Sequence, residues 1–295
     1  MNELKLDNKP VEKLFYKFRP INQHLFDTLE YNELYFRDPR DYNDPVDSVV
    51  DGYYEGTFEE FIDYMIKKGG MSREVAVNNM VVGIALGDYQ ITGNKFKRTA
   101  PKKRLHFDIP HIPTYCLSEE NKDVTMWSHY ADHHKGVCLS FKAKYGPIPE
   151  YGEEGYGLTI NSERIPIVEM TYDGKMPDPI NLLDINGKQL MQFLSTKGSC
   201  WEYEKEYRMF LFEEANEQNQ NIKRCTFEKT ELEGIIFGLN VKKCDALKIY
   251  RIIHKNYNDV PFNFYKVQKV ENGYEIRIKP ICKTGIDEYL ESLSD

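Results

Sequence analysis

The sequence predicts an α+β protein with mixed, largely antiparallel sheets, flanking helices and a helical insert. Short segments in which apolar and polar residues alternate, as in strands, are spread along the chain between segments with helix-capping signals. A Glu271-Asn272-Gly273 turn joins the last two of these strands as a hairpin. Since no internal repeat and no convincing linker is present, we expect one domain over residues 1–285 and an acidic tail over residues 286–295.

The predicted insert, at about residues 57–90, consists of two helices. Thr57 and Glu60 have the spacing of a capping box, and Gly69 and Gly70 end the helix that follows. Ser72 can cap a second helix that runs to about residue 86.

The remaining elements follow from alternation, helical spacing and turn residues. The predicted strands are residues 14–19, 33–36, 114–118, 136–141, 201–212, 234–238, 264–270 and 274–280. The further predicted helices are residues 22–29, 125–133, 189–197 and 241–255. The Gly- and Tyr-rich residues 145–162 are predicted to be a loop.

Composition limits the class of protein. The 295 residues include 39 basic and 47 acidic side chains, and the formal net charge of −8 argues against a protein that mainly coats nucleic acid or an anionic membrane. No apolar run has the length of a signal peptide or a membrane span. Six scattered cysteines without a CxxC pair indicate free thiols. We therefore expect a cytoplasmic protein without membrane contact, of open oligomeric state.

The densest cluster of chemically active side chains is WEYEKEYR, residues 201–208. On a strand, alternation would line up Glu202, Glu204, Glu206 and Arg208 on one face and the aromatic rings on the other. Two carboxylates two residues apart can orient a sugar hydroxyl or nucleophile and stabilise positive charge at an anomeric carbon. A solvent-facing strand edge, neutralised by Arg208, is an equally good interpretation.

The second cluster is MWSHYADHHKGV, residues 126–137. His129 and His133 are four residues apart, which would put two metal ligands on one helix face. No third ligand lies at a recognisable distance, so we expect packing or a pocket wall rather than a metal site. Trp127 and Tyr130 are candidates for stacking on the ring of a ligand.

Two polar segments add further candidates. Asn43 and Asp44 precede a proline and predict a turn, and Asp47 becomes a hydrogen-bond acceptor for a ligand hydroxyl if that turn faces a pocket. Residues 95–104 carry six basic side chains and no acidic one. This stretch predicts either a solvated loop or a contact with a nucleic-acid or protein partner.

Several blocks, in order over roughly residues 12–250, resemble a large bacterial family of domains of unknown function. The blocks are FYKFRP, ELYFRDPRDYNDPVD, CLSEENKDVTMWSHYADHHKGVCLSF, TKGSCWEYEKEYR and GIIFGLN. YNDPVD, MWSHYADHHKGV and WEYEKEYR carry most of the resemblance, which by itself implies no activity.

A more distant resemblance is to the ADP-ribosyltransferase fold. The FYKFR strand with the helix after it is similar to the first strand and helix of that fold, where a His or Arg holds NAD. The CLS strand with MWSHY is similar to its Ser- or Tyr-bearing element, and Glu204-x-Glu206 to the strand with the catalytic Glu. The resemblance implies that Glu206 is the catalytic carboxylate, that Glu204 assists it and that NAD is the substrate, with no metal.

The resemblance and the motifs together give an expected function. The residues expected to contact NAD are Lys17, Arg19, Asp47, Ser118, Trp127 and Tyr130. The expected activity is NAD cleavage with transfer of ADP-ribose to a macromolecular acceptor, with bacterial phage defence as an expected role. The alternatives are a metal-dependent hydrolase or nuclease, and a non-catalytic nucleotide-binding sensor or interaction domain.

Overall fold

The computed structural model describes residues 10–44, 46–48, 51–99, 112–148, 153–212 and 222–294. The strands are β1 (Glu12–Arg19), β2 (Glu33–Arg37), β3 (Gly52–Thr57), β4 (Gln90–Thr92), β5 (Lys95–Thr99), β6 (Thr114–Ser118), β7 (Val137–Ile148), β8 (Glu153–Ile160), β9 (Glu163–Pro166), β10 (Val168–Glu169), β11 (Thr171–Asp173), β12 (Ile180–Asn181), β13 (Thr196–Gly198), β14 (Glu206–Phe210), β15 (Ile222–Thr226), β16 (Leu232–Phe237), β17 (Asn263–Lys269) and β18 (Ile276–Ile281). The α-helices are α1 (Gln23–Tyr31), α2 (Phe58–Gly69), α3 (Arg73–Ala85), α4 (Val124–Tyr130), α5 (Gly187–Leu194), α6 (Lys243–Asn256) and α7 (Ile286–Glu291).

One large sheet organises the molecule. Its main path runs β10-β14-β6-β1-β7-β16-β17-β18, with β2 and β15 joined to β6, and β8 and β9 joined to β7. Along the main path β16 and β17 are parallel and the other pairs are antiparallel. The predicted α+β class with mixed, largely antiparallel sheets is therefore confirmed.

Helices α1, α6 and α7 cover one face of this sheet. Leu25, Ile249 and Leu290, one from each helix, are buried in the same cluster as Phe15 of β1 and Leu139 of β7. Burying such apolar side chains contributes roughly 1.5–3 kcal/mol each, which fixes the helices on the sheet.

The predicted acidic tail contains helix α7 and belongs in part to the core. Ile286, Tyr289 and Leu290 are buried, and their spacing of three and four residues places them on one helix face. Asp287 and Glu288 lie between them and Glu291 follows, and these charges predict a solvated tail.

The region of the predicted helical insert holds α2 and α3, with the predicted caps. The Thr57 hydroxyl accepts from the Glu60 amide and Glu60 accepts from the Thr57 amide, while Ser72 caps α3. A small sheet of order β12-β3-β5-β4 lies with these helices, so the region contains strands as well.

Two segments predicted as loops form strands. Residues 95–99 of the basic stretch are β5, in which Lys97 pairs with Glu55 at 3.2 Å; residues 100–104 lie outside the described residues. Residues 145–162 hold the end of β7 and all of β8. In β8 the apolar residues Tyr156, Leu158 and Ile160 alternate with other residues as is typical of a strand. The glycines in this segment indicate a loop and outweigh that alternation in the prediction.

Candidate functional site

A cleft of about 750 Å³ lies where β1 and β6 separate. The two strands are paired at Tyr16 and Ser118, and β2 joins the same edge of β6 through Arg37, opposite Thr114. Between these two points the Lys17 ammonium donates to the Cys116 carbonyl at 2.6 Å. A side chain thus bridges a stretch where strand-to-strand pairing stops, and the sheet opens there.

The predicted site residues converge on this cleft with one exception. Strands β1, β6 and β14, helix α4 and the segment before β14 all contribute to its wall. The predicted residues that line it are Lys17, Arg19, Asp47, Ser118, Tyr130, Glu204 and Glu206.

Trp127 is the exception, and the predicted stacking on a ligand is wrong for this residue. Its side chain is fully buried, its indole Nε1 donates to the Asn121 carbonyl at 2.8 Å, and its ring packs edge-on against Phe18 and stacks with His134. Trp127 therefore anchors α4 to the sheet and has no face free for a ligand.

A turn at Lys205 brings the two glutamates together. Residues 201–212 do not form one strand: a 3-10 helix covers Ser199–Glu204, and β14 starts at Glu206. Lys205 between them has a φ of 41°, a left-handed conformation that breaks the alternation. Glu206 and Arg208 share a strand face as predicted, Glu204 reaches them by the turn, and Glu202 is exposed.

Lys197 binds both glutamates from β13. Its ammonium donates to Glu204 Oε2 at 2.5 Å and to Glu206 Oε2 at 2.7 Å. The sequence pattern predicts a helix that ends at Lys197 and assigns this residue no role; a lysine a few positions before a carboxylate cluster is the signal that could have found it.

The two carboxylates have pKa values shifted in opposite directions. Burial by itself would raise the pKa of Glu206, but Arg208 and Lys197 outweigh burial and hold this pKa well below its usual range. For Glu204, burial raises the pKa, Lys197 opposes that effect and the neighbouring Glu206 adds to it. Glu206 is thus the ionised member of the pair, and Glu204 is the one that more readily carries a proton.

Arg208 and Asp47 form a buried ion pair behind the glutamates. Arg208 is fully buried; its Nε donates to Glu206 at 2.6 Å, and its Nη1 and Nη2 donate to the two oxygens of Asp47 at 2.9 and 2.6 Å. Asp47 was predicted to accept from a ligand hydroxyl. Because Arg208 holds both of its oxygens, Asp47 instead fixes the arginine that binds Glu206.

Tyr130 and Ser118 attach the glutamate segment to the rest of the wall. Tyr130 Oη donates to Glu204 Oε1 at 2.5 Å, and burial together with this bond raises the pKa of the phenol well above its usual range. Ser118 Oγ donates to the Glu204 carbonyl at 2.6 Å and accepts from the Glu120 amide at 3.0 Å. Ser118 therefore positions the backbone of Glu204.

Three cationic side chains also line the cleft. Lys17 and Arg19 of β1 and Arg37 of β2 line it, and within the described ranges neither arginine has an acidic side chain at ion-pair distance. Burial lowers the pKa of Lys17, and Arg19 nearby adds to this decrease. Two guanidinium groups without a carboxylate partner suit an anionic ligand with phosphate geometry.

Cys116 also lines the cleft, but as a neutral thiol. Its Sγ lies 3.1 Å from the Tyr42 hydroxyl. Burial raises its pKa to about 12, and the Glu206 carboxylate contributes to the increase. The thiolate needed for nucleophilic chemistry is therefore scarce at neutral pH.

The predicted placement of His129 and His133 on one helix face is wrong. Helix α4 ends at Tyr130, and the next residues include three in a row with positive φ: Asp132 at 46°, His133 at 54° and His134 at 66°. His129 lines the cleft and its Nδ1 lies 3.3 Å from the Tyr203 hydroxyl. In the part of the chain that the structure describes, no group of three or more His, Cys, Asp and Glu side chains could hold a metal ion.

His133→Gly is expected to raise the free energy of unfolding by about 1 kcal/mol, because glycine lacks the Cβ that makes a left-handed φ unfavourable. Urea denaturation measures this change. Lys135→Gly is the matched control, since Lys135 is an exposed residue of the same turn whose φ is not positive; it is expected to lower stability. A His133→Gly variant that unfolds more easily than the wild type contradicts the prediction.

Residues 126–209 match a family model described as protein of unknown function (DUF2971). The matched segment holds the MWSHYADHHKGV and WEYEKEYR blocks, and with them Tyr130, Lys197, Glu204 and Glu206; the YNDPVD block lies outside it. No curated protein and no solved structure matches the chain. Among the residues that the structure describes, no helix combines the length and apolar character needed to span a membrane.

Proposed function

We propose that the cleft binds NAD as a substrate, and that the protein cleaves the glycosidic bond to nicotinamide and transfers ADP-ribose to a macromolecular acceptor. One observation carries the proposal. The three elements that resemble the ADP-ribosyltransferase fold, β14, β6 and β1, are neighbours in the sheet, and Glu206, Ser118 and Tyr16 lie opposite one another across them. This row forms one wall of the cleft.

The size and charge of the cleft support a dinucleotide substrate. A volume of about 750 Å³ lies within the range of roughly 300–1,000 Å³ that small-molecule sites occupy. Arg19 and Arg37 in its wall match the geometry of a pyrophosphate. The carboxylates of Glu204 and Glu206 line the same cleft, and the nicotinamide ribose would extend toward them from a pyrophosphate held by the arginines.

The opposite pKa shifts give the two glutamates different chemical roles. Loss of nicotinamide, which departs with the bonding electron pair, leaves an oxocarbenium-like ribose that the ionised Glu206 stabilises. The acceptor then bonds to the same carbon and releases a proton, for which Glu204 is the base with the higher pKa.

A second candidate function, nucleotide binding without turnover, also has a specific observation in its favour. Each of the four carboxylate oxygens of Glu204 and Glu206 already accepts a hydrogen bond from Tyr130, Lys197 or Arg208. Such a self-satisfied network can remain in place when a ligand binds. Thermal stabilisation by NAD without release of nicotinamide would favour this candidate.

Arg19→Gln is expected to raise the Kd for ADP-ribose about tenfold, because a charge-assisted bond to phosphate contributes roughly 1.4 kcal/mol or more. Isothermal titration calorimetry with ADP-ribose isolates binding, since this probe contains the pyrophosphate and lacks the nicotinamide bond. Arg251→Gln, an exposed arginine of α6, is the control and should bind as the wild type does.

Two outcomes would count against the proposed binding mode. If the wild type binds neither NAD nor ADP-ribose, both candidate functions are wrong. If the Arg19→Gln and Arg251→Gln variants bind ADP-ribose equally well, the pyrophosphate does not lie at Arg19.

A further inference from the structure

Lys197 is the cation that the two glutamates share. Its side chain is 7% exposed and those of Glu204 and Glu206 are 5% exposed each. Two of the three ammonium N–H groups are used by these carboxylates, Asp47 lies farther off at 3.8 Å, and the Trp201 ring covers the ammonium at 5.0 Å. The lysine is therefore fixed in place by several elements at once.

Arg208 cannot replace Lys197 at Glu204. Its Nε is bonded to Glu206, and its two Nη groups are bonded to Asp47, to the Ser48 hydroxyl and to the Leu194 carbonyl. Lys205, the residue between the glutamates, points to Glu120 at 3.6 Å and is largely exposed. Of the cations in the described ranges, Lys197 is thus the one in contact with Glu204.

Without this cation the glutamates would be two buried carboxylates side by side. Two carboxyl groups that contact the same ammonium are too close to each other to remain ionised together in a site of low polarity once that ammonium is removed, so the pair would share a proton. The remaining charged or titratable groups that face the pair are Lys17, Asp47, Cys116, Tyr130, Tyr172, Tyr203 and Arg208. Lys17 and Arg208 are the cations among these described residues; Lys17 donates to the Cys116 carbonyl, and Arg208 is bonded to Glu206 alone of the two glutamates.

We propose that Lys197 is a positioning residue that holds Glu204 and Glu206 side by side as a pair of carboxylates. The inference rests on the proposed function, in which one glutamate stabilises charge and the other accepts a proton. Lys197 acts through the glutamates: it holds one oxygen of each, while Tyr130 and Arg208 hold the others.

Lys197→Met is expected to move the acid limb of the pH profile for nicotinamide release upward by about 1 pH unit or more, because the pair then retains a proton to higher pH. The KM for NAD should change much less than kcat. Lys197→Arg, which keeps the charge, should retain most of the wild-type profile. Lys188→Met, which removes an exposed lysine of α5, is the matched control. A Lys197→Met variant whose kcat falls by one constant factor at every pH would overturn the inference.

A second readout needs no turnover. NMR of isotope-labelled glutamate carboxyls in the ligand-free protein is expected to show one carboxyl titrating about 1 pH unit higher or more in Lys197→Met than in the wild type. If Lys197→Met shows this shift but the wild type releases no nicotinamide, the proposed enzymatic activity is wrong and the role of Lys197 in the pair is supported. Unchanged glutamate titrations would overturn that role whatever the activity.

A double variant separates charge from folding. Lys197→Met combined with Glu204→Gln removes the like-charge contact, so it should be more stable than Lys197→Met alone, and the remaining carboxyl should titrate at low pH as in the wild type. If Lys197→Met does not fold, recovery of a cooperative melt in the double variant supports the inference. A double variant no more stable than the single one would overturn it.

Discussion

Glu206→Gln is expected to lower the rate of nicotinamide release from NAD by about 100- to 1,000-fold, the cost typical of losing one preorganised electrostatic contact to a transition state. The neutral amide cannot stabilise an oxocarbenium-like ribose as a carboxylate does. It also turns an NH2 group toward Arg208 or Lys197, both of which donate to Glu206 in the native site.

The control for this prediction is Glu202→Gln. Glu202 belongs to the same WEYEKEYR block but is exposed, so its loss should leave the rate unchanged. Because Glu206 is buried, the Glu206→Gln protein must first be shown to melt cooperatively and to bind ADP-ribose. Equal nicotinamide release by the folded Glu206→Gln variant and the wild type would contradict the assignment of the catalytic carboxylate.

Local signals in the sequence predicted most of the elements that frame the cleft. Strand β6 has the predicted bounds, residues 114–118, and α1 begins after Asn22, which caps it through the Leu25 amide. These features depend on residues only a few positions apart, so alternation and capping patterns suffice to find them.

The features of the site that the sequence patterns do not predict depend on contacts between residues distant in sequence, or on the backbone conformation of a single residue. The left-handed Lys205 splits a segment whose alternation predicts one continuous strand. The bidentate bond from Arg208 to Asp47 joins residues 161 positions apart, so no local pattern could show that Asp47 serves an arginine. Trp127 is of a residue type that often stacks on ligands. Its packing in the folded protein, which the sequence does not show, covers both faces of its ring.

The cleft residues divide into those that can meet a ligand and those that hold them. Arg19 and Arg37 are the groups without an acidic partner among the described residues, while Glu204 and Glu206 are bound within the protein by Tyr130, Lys197 and Arg208. A ligand therefore gains new ion pairs at the two arginines and meets an existing network at the two glutamates. Affinity should depend mainly on the arginines, and turnover on the network.

Arg208→Met is expected to lower the free energy of unfolding by about 3–5 kcal/mol at neutral pH, the usual cost of breaking a buried ion pair from one side. Methionine fills similar space but leaves Asp47 and Glu206 buried, with Lys197 as the remaining cation, at 3.8 Å and 2.7 Å. The loss is large against the roughly 5–15 kcal/mol of a typical domain. Urea denaturation followed by circular dichroism measures it.

The pH dependence of this loss identifies its cause. Without Arg208 the folded-state pKa of Glu206 rises, because burial is then opposed by Lys197 without the arginine, so the variant loses less stability than the wild type as pH falls. In the wild type the pKa of Glu206 is lower in the folded than in the unfolded protein. The ionised carboxylate therefore stabilises the fold above the unfolded-state pKa, and this stabilisation is lost as pH falls. The stability gap should therefore shrink in acid. Arg251→Met, at an exposed position, should stay within about 0.5 kcal/mol of the wild type. A gap that is independent of pH would assign the loss to packing instead of charge.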